Sequence, residues 1–100
     1  MPKIAIHVEF RPHPGSHAAF DALIREHARL TQQEEPGCER FEVLQPLNAD
    51  GSKDEGRIML VEVYTDKAAV KAHTKNPRMP LVREAYTPLI AERILTMCEM

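Results

Sequence analysis

Hydrophobic and polar positions change period several times along the chain, and each change marks an element. Residues 3–10, Lys-Ile-Ala-Ile-His-Val-Glu-Phe, alternate, with Ile4, Ile6, Val8 and Phe10 on one face and Ala5, His7 and Glu9 on the other, as a strand requires. Arg11-Pro12-His13-Pro14-Gly15 stops that strand, because proline cannot donate to a ladder and glycine permits a turn. Ser16 then stands where a helix cap belongs. Over 17–34 the period lengthens to three and four: Phe20, Leu23, Ile24, His27 and Leu30 form a stripe, and Asp21, Arg25, Glu26, Arg29 and Gln32 point away. Pro36-Gly37 ends the helix. Alternation returns from Cys38 to Gln45, with Phe41 and Val43 opposite Arg40, Glu42 and Leu44, and Pro46 closes that strand or sits on an edge.

The polar stretch 48–56 is a flexible connection to the strongest strand signal, Arg57-Ile-Met-Leu-Val-Glu-Val-Tyr-Thr65. Ile58, Leu60, Glu62 and Tyr64 share one of its faces and Met59, Val61, Val63 and Thr65 the other, so both faces want cover. Asp66 is suited to cap a helix over 67–75 that turns Ala69, Val70 and His73 inward. Asn76-Pro77 restarts a helix, with Met79, Leu81, Val82, Ala85, Tyr86 and Leu89 as apolar positions, and Pro88 kinks or ends it. Residues 92–99 supply a last strand.

The order is β-α-β-β-α-α-β, an α+β class chain whose hairpin between two crossovers predicts the ferredoxin-like split βαβ with an antiparallel sheet. Right-handed crossovers place the helices on one side of that sheet. The other side is left bare although the middle strand is apolar in both directions. Exposing such a patch costs about 25 cal/mol per Å², so a homodimer packed sheet to sheet, a dimeric α+β barrel, is the expected remedy. In this topology the second and fourth strands are the two edges. Cys38 and Cys98 then lie beyond the ~4.4–6.8 Å Cα spacing of a disulfide.

Composition narrows the picture. One hundred residues make a single domain over 1–100. A net charge of -2 with thirteen scattered basic residues leaves no footprint for nucleic acid. The lack of a long apolar run or leader pattern predicts no membrane association and a cytoplasmic protein. His7, His13 and His17 fall on a strand, between prolines and at a helix start, with no carboxylate at ligand spacing, so no metal site is expected. No GxGxxG, P-loop or Gly-rich phosphate cradle is present, and no nucleotide cofactor is expected.

Glu34-Glu-Pro-Gly-Cys38 leading into Phe41-Glu-Val-Leu-Gln45, followed by Glu62-Val-Tyr64, Asp66, Ala69 and His73 before Asn76-Pro77, resembles the antibiotic biosynthesis monooxygenase (ABM) domain family over roughly residues 3–95. The resemblance implies a ferredoxin-like fold dimerised into an α+β barrel. It also implies one of two activities on a small-molecule substrate. One is oxidation of a quinol or aromatic polyketide without metal or flavin. The other is isomerisation of a phosphorylated hydroxy-dione, as in the autoinducer-2 processing proteins, which Arg40-Phe-Glu-Val-Leu-Gln45 with Ala69-Val-Lys-Ala-His73 also resembles. A haem-degrading branch is disfavoured: the chain has no Trp, His73 stands at about that place, and the axial histidine position falls near Arg83. A third reading is a dimer that binds a small ligand without chemistry.

Either reaction needs a base, a donor for a developing oxyanion, and a pocket that excludes water. His73 is the candidate for proton transfer, weighed against a helix-terminal histidine bonded to a carbonyl. Glu62, mid-strand among apolar neighbours, gains a raised pKa if buried, or else pairs with an arginine. Tyr64 is either an oxyanion donor, making a third catalytic candidate, or a packed ring with its hydroxyl at the rim. For substrate binding the candidates are His27, Phe41 and Val70. His27 either hydrogen-bonds substrate or Glu62 or is a satisfied core histidine, and Phe41 is either a pocket wall or ordinary core. Arg11, Arg40 and Arg83 can each meet a phosphate or simply be solvated.

Overall fold

The computed structural model describes residues 2–100. Its elements are β1 (Ile4–Pro12), α1 (His17–Glu34), β2 (Cys38–Leu44), β3 (Ile58–Tyr64), α2 (Lys67–Thr74), α3 (Arg78–Tyr86), a 3₁₀ turn (Thr87–Leu89) and β4 (Ile90–Glu99). The four strands form one antiparallel sheet in the order β2-β3-β1-β4. This is the ferredoxin-like α+β arrangement, and its edges are β2 and β4. Cys38 and Cys98 sit on those opposite edges as free thiols, the first buried and the second exposed. Burial pushes the Cys38 thiol up to about 11.

The period-two pattern decides which side chains meet the helices. Ile4, Ile6, Val8 and Phe10 of β1 are all buried, and Ile58, Leu60, Glu62 and Tyr64 lie beside them on β3. Above these, α1 buries Phe20, Ile24, His27, Ala28 and Thr31. Leu23 and Leu30, expected in the stripe, are only half-buried, because the helix leans its Ala28–Thr31 side onto the sheet. Phe10, Phe20 and Tyr86 close one end of the core, with ring centroids 4.7, 5.4 and 6.0 Å apart. Full burial of each ring contributes about 1.5–3 kcal/mol, and the trio ties β1, α1 and α3 together.

Several local expectations are corrected. β1 does not stop at Phe10 but continues through Pro12, with a register shift between Arg11 and Pro12 that frees the ladder from needing a proline N–H. Ser16 occupies the cap position in a helical backbone conformation and makes no side-chain capping bond. Asp66 does cap α2, accepting from the Ala69 amide at 2.8 Å. Within α3, Leu81 and Ala85 face outward while Val82 and Tyr86 turn in. The helix-free side is also less bare on β3 than expected: Val63 is 7% exposed and Met59 and Val61 half-buried. Exposed apolar surface gathers instead on β4, where Ile94, Leu95 and Met97 are 45%, 41% and 54% exposed.

Candidate active site

A cavity of about 110 Å³ lies between the sheet and the helices. Ile6, Val8 and Leu60 form its floor, Val70, Val82 and Met79 its roof, and Phe41 and His27 one wall. Besides His27 and the Tyr86 phenol, four ionisable side chains enter it: Glu62, His73, Arg83 and Arg93.

His73 occupies the last turn of α2 and is 6% exposed. Its Nδ1 meets the Glu35 carboxylate at 2.9 and 3.1 Å. Glu35 also accepts from Asn76 Nδ2 at 3.0 Å, and the Arg78 guanidinium stands 3.7 Å away. With Nδ1 committed to a carboxylate, the imidazole is fixed in the tautomer whose Nε2 carries the lone pair. Burial lowers the His73 pKa and Glu35 opposes it. The ring is therefore neutral at neutral pH, with its Nε2 lone pair available.

Contact between the Glu34-Glu-Pro-Gly-Cys38 turn and α2 makes this pairing. Gly37 accepts from the Thr65 amide at 2.9 Å, and a Cβ at Gly37 would stand 2.5 Å from the Ala69 Cβ. Only hydrogen fits there. The turn thereby brings Glu35 under α2.

Glu62 is 5% exposed. Burial raises its pKa to about 7, against the lowering effects of the Tyr64 hydrogen bond and the Arg93 charge. Tyr64 is fully buried and does not line the cavity; its Oη donates to Glu62 Oε1 at 2.6 Å. Burial and the adjacent Glu62 keep that phenol protonated. Its place is that of a group supporting Glu62 from behind.

His27 lies beside His73, with ring centroids 5.7 Å apart. Burial first, then the neighbouring His73 and Arg78, pull its pKa down to about 4. Its Nδ1 faces Arg78 Nε at 3.5 Å rather than Glu62. Phe41 lies edge-on to His27 at 5.4 Å, and Val70 is half-buried in the roof. Phe41 is thus both core and wall.

Glu35, Asn76, Arg78 and Arg93 are site residues that the sequence reading passed over. A signal existed for Glu35. Two carboxylates at the C-terminal end of a helix oppose its dipole unless cations meet them. Here Arg78 bonds Glu34 and Thr31 as well as approaching Glu35. Arg11 and Arg40, considered as phosphate ligands, lie outside the cavity and pair with Glu9 and Glu42. No group of three or more His, Cys, Asp or Glu side chains converges as a metal set among the described residues.

Fold and site together define a ferredoxin-like α+β domain with an ionisable cavity between sheet and helices. The model of the antibiotic biosynthesis monooxygenase family matches residues 3–85, and the chain belongs to that family. Membership places it among monooxygenase-type proteins. No curated protein matches the chain significantly in sequence. Among solved structures, the chain is similar to a Mycobacterium tuberculosis protein at 25% identity and a TM-score of 0.79, covering 96% of this chain and 92% of that one. A Nitrosomonas europaea protein carrying the family's name aligns at 24% identity and a TM-score of 0.84, covering 98% and 89%. A Caulobacter crescentus protein with the same name aligns at 18% identity and 0.88, covering 99% and 90%. The last two likenesses bear on fold alone. No helix among the described residues is long and apolar enough to cross a membrane.

Proposed function

We propose that the protein is a cofactor-independent monooxygenase that oxidises a quinol-like or polyketide-like small molecule in this cavity. The observation that carries the reading is the carboxylate-held, neutral His73 opening on a largely apolar space opposite a protonatable Glu62. In such chemistry the substrate is its own reductant. His73 Nε2 takes the proton from an acidic CH₂ or OH, and the apolar wall favours the resulting delocalised anion over solvated charge. For a CH₂ substrate the carbanion adds O₂ to give a peroxide anion. Glu62, about half protonated near pH 7, supplies its proton from that form, and loss of water leaves the carbonyl, so that R₂CH₂ and O₂ become R₂CO and H₂O.

A homodimer belongs to the same proposal. Ile94 lies on the helix-free side and Leu95 and Met97 on the helix side of an edge strand, and a second copy would cover this exposed apolar surface. Oxygen uptake tests the enzymatic reading. Protein stripped of metal and flavin should consume O₂ with menadiol-type quinols or anthrones, and His73→Ala should not. Failure of every quinol and anthrone to elicit uptake counts against it.

A further inference from the structure

Eight arginines occur in the sequence, and six are matched to carboxylates. Arg11 pairs with Glu9 and Glu92, Arg25 with Asp21, Arg29 with Glu26, Arg40 with Glu42, Arg57 with Glu9 and Asp54, and Arg78 with Glu34 and Glu35. Arg83 and Arg93 alone make no ion pair and no side-chain hydrogen bond among the described residues. Both line the cavity. They reach it from different elements, Arg83 from α3 and Arg93 from β4, and both are exposed at its opening.

This distribution is not that of scattered solvated cations. Elsewhere the fold neutralises its guanidiniums at 2.7–3.0 Å; at the cavity it leaves two positive forks facing one small space. Two like charges there repel each other and raise the local potential, and an anion between them removes both penalties. A guanidinium offers a planar fork matched to a carboxylate or phosphate. The one carboxyl within the cavity, Glu62, is held back by Tyr64 and forms no ion pair with either arginine.

We infer that the substrate carries a fixed oxyanion group, a carboxylate or a phosphate, that Arg83 and Arg93 clamp at the mouth while the reacting ring or enolisable carbon lies inward near His73. This rests on the reading of the same cavity as a substrate site, and it narrows the substrate to an anionic member of its class. The two arginines then set polarity of entry: the charged end stays at the opening and the apolar end goes in.

Calorimetry under anaerobic conditions tests this without turnover, using three probes that share one ring: hydroquinone, 2,5-dihydroxybenzoate and 4-hydroxyphenyl phosphate. One or both anionic probes should bind the wild-type protein at least about tenfold more tightly than hydroquinone, the scale of a charge-assisted hydrogen bond. That preference should fall close to one in the Arg83→Gln/Arg93→Gln double variant. Since both side chains are exposed, the substitutions leave the core intact. Preference for the carboxylate or for the phosphate identifies which oxyanion is used, and the phosphate result would align the site with hydroxy-dione phosphates. The clamp is refuted if the anionic probes bind the wild type no better than hydroquinone, or if their advantage survives in the double variant. Oxygen uptake with neutral quinols but no anion preference would sink the clamp and leave the oxidation standing. Anion preference without uptake on any substrate would do the reverse.

Discussion

β3 and β4 are the two neighbours of β1 in the sheet, and they live in different surroundings. β3 has a hydrogen-bonded strand on each side, and its helix-facing residues Ile58, Leu60, Glu62 and Tyr64 are all buried. β4 has a partner on one side only and is exposed along nearly its whole length. Each sends one charged-type side chain into the cavity, Glu62 and Arg93. Surroundings decide what each can do. A carboxyl deprived of water on β3 has its pKa moved to about 7 and can exchange a proton. A guanidinium on exposed β4 remains charged and can only attract and orient. In the proposed reading, proton chemistry therefore belongs to the covered strand, and recognition and assembly to the uncovered one.

The sharpest break of this contrast is removal of His73, the proposed base above β3. His73→Ala should lower kcat/KM by about 10²–10⁴-fold, the usual reach of general-base catalysis, whereas Arg93→Gln should act mainly on KM. Steady-state oxygen uptake separates the two, and equal effects on kcat would erase the division of labour. Next comes the stability cost of a buried carboxyl. Glu62 is harder to ionise in the folded chain than in the unfolded one, so unfolding releases a proton between about pH 4.5 and about 7. Stability from this source is full below pH 4.5 and is lost as pH rises through 7. Glu62→Gln should remove that pH dependence and gain roughly 3 kcal/mol over wild type above pH 7 relative to pH 4, measured by urea unfolding at several pH values.

On β4, Ile94→Glu should shift the proposed dimer towards monomer by about one to two orders of magnitude in Kd, the worth of burying one such side chain. Sedimentation over a dilution series reads it; a wild-type protein that is monomeric at every concentration would remove the assembly role from β4. The smallest effect is on Tyr64. Tyr64→Phe deletes the bond that favours ionised Glu62, so the Glu62 pKa should rise above 7 by up to about one unit, matching a net hydrogen bond of ~0.5–1.5 kcal/mol. An NMR titration of the Glu62 carboxyl would show it, and an unmoved or lowered value would contradict the assigned donor.

The layout was legible because hydrophobic period maps directly onto sheet and helix faces. Alternation in 3–10 and 57–65 placed Ile6, Leu60, Glu62 and Tyr64 on one face, and the sheet keeps them there. Spacing also put Glu62 and Tyr64 side by side on that face, but the bond between them came only with the fold, since Tyr64 was expected to serve an oxyanion or to pack with its hydroxyl at the rim. The helix end marked Glu35 as needing a partner, but which partner was hidden for the opposite reason: His73 and Asn76 are 38 and 41 residues away, and no local period records such a pairing. Arginines were equally opaque. Arg11, Arg40 and Arg83 look alike in sequence, and only the folded chain shows which of them already have carboxylates beside them.

The contact at Gly37 has a consequence for how this site can vary. Depth and aim of the His73 imidazole depend on how near α2 comes to the turn, and that separation is set by a carbon atom that is missing. Whatever ligand the cavity accepts, adding that atom would lift the second helix and pull the imidazole from Glu35, detuning the centre without altering any group that meets the ligand.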